Sequence, residues 1–193
     1  FNSDGYDDLV TVDDDPRTVD EVVVLLNDHE RSYERPVNDV VGLHPTDLTV
    51  ADFNTDGIPD VAVLNRTSPL VTGADRFSIS ILLTRTERSA DDETLTGTGV
   101  FAVQVPFDVN CPWQFHGMRI RCTLRDIKAG DFDNDGIADL AVAISSVLYG
   151  DGSVEPPGFV MIYQGNGDGR FDFAAQLNVC LLYTSDAADE KVR

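Results

Sequence analysis

The sequence predicts an all-β fold made of about three repeats of a four-stranded unit, and three observations carry that expectation. An acidic, glycine-containing loop occurs three times in 193 residues, and each copy runs straight into a short, apolar, β-branched segment. No stretch keeps the periodicity of about 3.6 residues that marks an amphipathic helix.

The fullest loop is Asp131-Phe132-Asp133-Asn134-Asp135-Gly136-Ile137-Ala138-Asp139. Side-chain oxygens fall at its first, third, fifth and ninth places. A backbone coiled about one centre therefore turns Asp131, Asp133, Asp135 and Asp139 inward, and the Ile137 carbonyl joins them. Hard cations such as Ca²⁺ take roughly six to eight oxygen ligands, and glycine at the sixth place lets the chain bend where a Cβ would clash. The second loop repeats the pattern with Asp52, Asn54, Asp56, the Ile58 carbonyl and Asp60. The first lacks its leading residue and offers Asn2, Asp4, the Tyr6 carbonyl and Asp8. One acidic loop is commonly a solvated turn, but triplication at fixed internal spacing points to a cation. An EF-hand needs a glutamate at the twelfth place and a helix after it; Val63 and Val142 stand there instead.

Taken in order, the first unit carries strands over residues 8–12 and 21–26, a turn over 27–33, and a strand over 45–51 that enters the second loop. The second unit carries strands over 60–64, 77–83 and 99–105, with an acidic, Thr-rich stretch, 85–98, read as a long exposed connector. A hairpin bounded by Cys111 and Cys122 follows, and residues 124–130 lead into the third loop. The third unit has strands over 139–144 and 159–163, a glycine turn at 165–170, and a strand over 171–179.

The phrase Asp-Phe-(Asn/Asp)-x-Asp-Gly-x-x-Asp-(Leu/Val)-Ala-Val resembles the FG-GAP/VCBS repeat of integrin α-subunit-like β-propellers and of many bacterial surface and secreted proteins. Gly165-Asn166-Gly167-Asp168-Gly169-Arg170-Phe171 is similar to the glycine-rich hairpin that closes that repeat. The resemblance covers nearly all of residues 1–179. It implies a partial β-propeller of about three four-stranded blades with calcium-binding loops between strands, in an extracellular or cell-surface protein. The function it implies is non-catalytic binding or adhesion toward a protein or carbohydrate ligand. The alternatives are an accessory propeller of a secreted hydrolase or lyase, and a purely structural repeat array. Three copies are too few to close a ring of the usual four to eight blades, so the expectation is an arc of a larger propeller, truncated at both ends.

Composition sets the bounds. The net charge of −20 argues against a nucleic-acid partner, and the 42% hydrophobic content suffices for a core. No stretch is long and apolar enough to span a bilayer as a helix. Cys111 and Cys122 form either a disulfide, as in an oxidising setting, or two free thiols. Residues 180–193, beginning Cys180-Leu181-Leu182-Tyr183-Thr184-Ser185, resemble a translated sequencing adapter and are read as a non-native tail; the other reading is a native strand with a polar end.

Weaker signals carry less. His29, His44 and His116 lack metal-ligand spacing and read as turn histidines, and Asn65-Arg66-Thr67 matches a glycosylation sequon. Trp113 and Phe115 form either an exposed binding patch or hairpin packing.

Overall fold

The computed structural model describes residues 1–13, 20–27, 32–33, 37–67, 76–88, 95–103, 106–109, 114–115, 118–148 and 158–179. All regular structure among them is β-strand: β1 (Leu9–Asp13), β2 (Glu21–Leu25), β3 (Val37–Val40), β4 (Pro45–Ala51), β5 (Asp60–Thr67), β6 (Arg76–Arg88), β7 (Leu95–Val103), β8 (Phe107–Val109), β9 (Gln114–Phe115), β10 (Met118–Gly130), β11 (Asp139–Leu148), β12 (Gly158–Gly165) and β13 (Phe171–Val179).

These strands make three antiparallel sheets, each from strands consecutive in the chain. Their orders are β1-β2-β3, β4-β5-β6-β7 with β8 added on β6, and β9-β10-β11-β12-β13. Leu82 faces Val103 of β7 and Ile79 faces Phe107 of β8, along the edge of β6 opposite to β5. β7 and β8 are therefore one interrupted outer strand, and the second sheet is a four-stranded meander. The third is the same meander, β10 to β13, with the two-residue β9 paired to the start of β10.

The second sheet lies between the other two. Val22, Val24 and Leu26 of the first unit pack with Val61, Val63, Leu82 and Phe101 of the second. From its opposite face Ala62, Leu64, Phe77, Ile79 and Ile81 meet Leu124, Ile127, Leu140, Val142, Phe159 and Met161 of the third. With both faces covered, Val61 to Leu64 are all fully buried, which is why β5 reads as an unbroken apolar run rather than an alternating one.

The innermost strands also touch. Asp47 Oδ2 accepts the Ile127 N–H at 3.0 Å and Thr49 Oγ1 the Ala129 N–H at 3.2 Å, so side chains of β4 satisfy donors on the edge of β10. Each inner strand breaks register at the same place before its loop, between Pro45 and Asp47 in β4 and between Leu124 and Asp126 in β10.

The all-β expectation holds, with several boundaries moved. Residues 85–98 are not simply a connector, because β6 runs on to Arg88 and β7 begins at Leu95. Thr86 pairs with Gly97 and Glu87 with Thr96 in a long two-stranded arm. Thr and Arg in alternation suit a solvated ladder that needs no apolar face. β3 was not expected, since Val-Asn-Asp-Val lacks a β-branched run; it forms by pairing with β2, Val24 opposite Val37. Asn65 is fully buried, its Nδ2 donating to Ser80 Oγ at 2.9 Å, so the sequon does not present a surface amide. His44 is exposed in a turn, as expected. His29, His116, Trp113, Cys111 and residues 180–193 lie outside the described residues. Cys122 is buried and disulfide-bonded.

Candidate metal centres

The three acidic loops share one backbone geometry. The residue before the central aspartate takes a left-handed conformation in each: Ser3, Thr55 and Asn134 have φ of 61°, 60° and 65°. The glycine two places later is left-handed too, Gly5, Gly57 and Gly136 at 85°, 84° and 89°. An L side chain is strained there, which explains glycine at that place in every copy.

The hydrogen bonds repeat with the backbone. The Tyr6, Ile58 and Ile137 amides donate to Asp4, Asp56 and Asp135 at 2.9, 2.9 and 2.8 Å. The Asp4, Asp56 and Asp135 amides donate to the third-place oxygens of Asn2, Asn54 and Asp133 at 3.4, 3.0 and 3.1 Å. In the two longer copies the leading carboxylate closes the ring. Asp52 accepts from Asp56 and Gly57, and Asp131 accepts from Asp135 and Gly136.

The ninth-place aspartate is the anchor. One oxygen of Asp60 accepts the Phe53 N–H at 3.0 Å, and one of Asp139 accepts the Phe132 N–H at 2.9 Å. In the first loop the ammonium of Phe1 takes that place, 2.6 Å from Asp8. The other oxygen reaches across the sheet in all three copies, to Asn27 N beyond β2, Thr84 N in β6 and Gly165 N in β12, at 2.9, 2.8 and 2.9 Å. One carboxylate thus ties the loop's start, its exit strand and the next strand together.

In the third loop three of the predicted donors converge. Asp131, Asp133 and Asp139 each offer a carboxylate oxygen, all within 4.8 Å of one another; Asp139 is buried and the other two are exposed. Oxygens held about 2.4 Å from one centre have that spread. Asp135 stands outside this group. In the first and second loops an asparagine occupies the third place, and its amide donates to the central aspartate, Asn2 to Asp4 at 2.8 Å and Asn54 to Asp56 at 3.1 Å. Asp133 cannot donate, and the amide of Gln164 in β12 reaches its free oxygen instead.

Ile58 and Ile137, expected to give carbonyls, also pin the loops by their side chains. Ile58 is buried against Gly97, and Ile137 lies beside Gly165. Gln164 and the cross-strand amides of Asn27, Thr84 and Gly165 were missed by sequence reasoning. They lie far from the loops in the chain, and only strand register brings them near.

At the anchor of the second loop the carboxylates crowd one another. Burial pushes the Asp60 carboxyl up to about 6; the Thr84 and Phe53 amides pull the other way, and the charges of Asp56 and Asp52 raise it further. A cation beside these oxygens would remove both the repulsion and the desolvation penalty.

No family model matches the chain, and no curated protein matches it. Function therefore rests on the loops and the sheets that hold them. Among the described residues no helix is long and apolar enough to cross a membrane.

Proposed function

We propose that the chain is a calcium-stabilised, non-catalytic β-propeller module of the FG-GAP/VCBS kind, acting outside the cell as a scaffold for binding a protein or carbohydrate ligand. The observation that carries this reading is the recurrence of one loop three times with the same hydrogen bonds, each copy entering a strand and the second and third also joining it to the antiparallel strand before it. The donor set suits Ca²⁺, being hard oxygen without sulfur or imidazole. Mg²⁺ fits less well, because it demands near-octahedral geometry and gives up water reluctantly.

The ion's role in this reading is structural. Asp139 already holds the start of its loop and the end of β12, so an ion gathering Asp131 and Asp133 against it locks the register of β10, β11 and β12 in one step. Metal affinity then appears as folding free energy. The ligand is met by the connectors between strands, where residues can change without disturbing the sheets.

Thermal melting in millimolar calcium and in EDTA tests the proposal. The expected result is a melting temperature that rises with calcium and saturates, with a much smaller response to magnesium. A folded chain indifferent to EDTA would falsify it.

A further inference from the structure

We infer that Gln164 of β12 is a positioning residue for cation binding by the third loop, its amide doing for Asp133 what an asparagine's own amide does in the other two copies. The third place of the loop is Asn2, Asn54 and Asp133 in turn. The residue just before the amide that meets the ninth-place aspartate is Leu26, Leu83 and Gln164. Asparagine thus goes with leucine twice, and aspartate with glutamine once.

The pairing has a physical cause. Asn2 and Asn54 each serve twice: the side-chain oxygen accepts the backbone N–H of Asp4 or Asp56, and the Nδ2 group donates to the carboxylate of the same residue. Each is thereby fixed at both ends inside its own loop. Leu26 and Leu83 are engaged elsewhere, against Gly99 and Gly169 of the following unit.

Asp133 has acceptors only. One oxygen takes the Asp135 N–H at 3.1 Å, and the side chain is exposed, so by itself it would keep much of its freedom to swing into water. The Gln164 Nε2 group donates to the other oxygen. Gln164 is half-buried, and its backbone is held opposite Asp172 in the β12–β13 ladder. The next residue, Gly165, gives its N–H to Asp139 at 2.9 Å. Two consecutive residues of β12 therefore hold two of the three carboxylates that converge in this loop. A carboxylate oxygen has two lone pairs, so the amide and a cation can share Asp133. A partner that fixes a ligating side chain in this way typically accounts for about 10–100-fold in metal affinity. The inference rests on the reading of the third loop as a calcium site.

A calcium titration of the isotope-labelled full chain, followed by NMR, tests it, because each loop carries its own reporter. The Gly57 amide donates to Asp52 at 2.8 Å and the Gly136 amide to Asp131 at 3.0 Å. Gln164→Leu, which installs the residue of the other two copies, should raise the calcium midpoint at Gly136 by about 10–100-fold and leave that at Gly57 unchanged. Asp133→Asn supplies the amide from within the loop, so in that background Gln164→Leu should move the Gly136 midpoint by about twofold or less. An unchanged Gly136 midpoint in Gln164→Leu, or an equal loss in the Asp133→Asn background, overturns the inference. So does a loss shared by Gly57, which would mark a general loosening of the fold. If neither glycine of the parent responds to calcium, the calcium reading falls as well; if both respond and Gln164→Leu changes nothing, this inference alone falls.

Discussion

At the scale of single residues, the ninth-place aspartate of the second loop combines two roles that pull against each other. Asp60 must be ionised to hold a cation, yet burial pushes its carboxyl up to about 6. Its ordinary value is 3.8, so the metal-free folded state binds this proton more tightly than the unfolded state does. The group's contribution to stability is therefore fully present below about pH 4 and is lost as the pH rises through about 6. In EDTA, melting temperature should fall over that window, and Asp60→Asn should flatten the fall. In calcium the dependence reverses, because the cation competes with the proton for the same oxygens. Asp139→Ala tests the anchor itself. It strips the acceptor from the Phe132 and Gly165 amides and should cost about 2–6 kcal/mol in denaturant unfolding, given roughly 1–3 kcal/mol for each donor left unpaired. Asp135→Ala, outside the converging group, should cost less.

At the scale of elements, glycines separate conformational strain from steric need. Gly165 sits where a Cβ would lie 2.3 Å from the Ala138 carbonyl, so Gly165→Ala must push the loop away from β12 and should lower the melting temperature sharply. Gly5 has open space around it and only a left-handed backbone to defend, so Gly5→Ala should cost about 1–2 kcal/mol. The same division explains what the sequence revealed. Nearly every loop donor lies within nine consecutive residues, and the left-handed glycine is visible as Asp-Gly, so the loops could be read directly. β5, β11 and β12 were legible as apolar runs. β3 and the paired ends of β6 and β7, Thr86 to Arg88 opposite Leu95 to Gly97, were not, because these stretches are held by pairing rather than by an apolar face. Gln164 over Asp133 was hidden for a related reason: contact across strands depends on register, which a linear pattern of residue types does not encode.

At the scale of the whole molecule, charge and stacking decide stability. A net charge of −20 makes the metal-free chain self-repelling, so its melting temperature in EDTA should rise with added sodium chloride, whereas the calcium-loaded protein should respond less. Phe53→Ala should cost about 3–5 kcal/mol, since that ring closes the interface between the second and third sheets. Which face of each sheet is covered could not be read from any one repeat. It emerges only when Val61 and Val63 are seen to face one neighbour while Ala62 and Leu64 face the other.

The placement of the second sheet between two sequence neighbours also sets an order of events during synthesis. Every sheet is assembled from consecutive strands, so each can form as it leaves the ribosome, without waiting for distant partners. Its apolar faces cannot be covered so soon. Val22 and Val24 must await β5 and β6, a delay of several seconds at roughly 5–20 residues per second. Nascent chains stalled between Leu26 and Met161 should therefore be the ones that recruit chaperones, since the second sheet's other face stays open until β10 to β12 arrive, and release past Met161 should end that dependence.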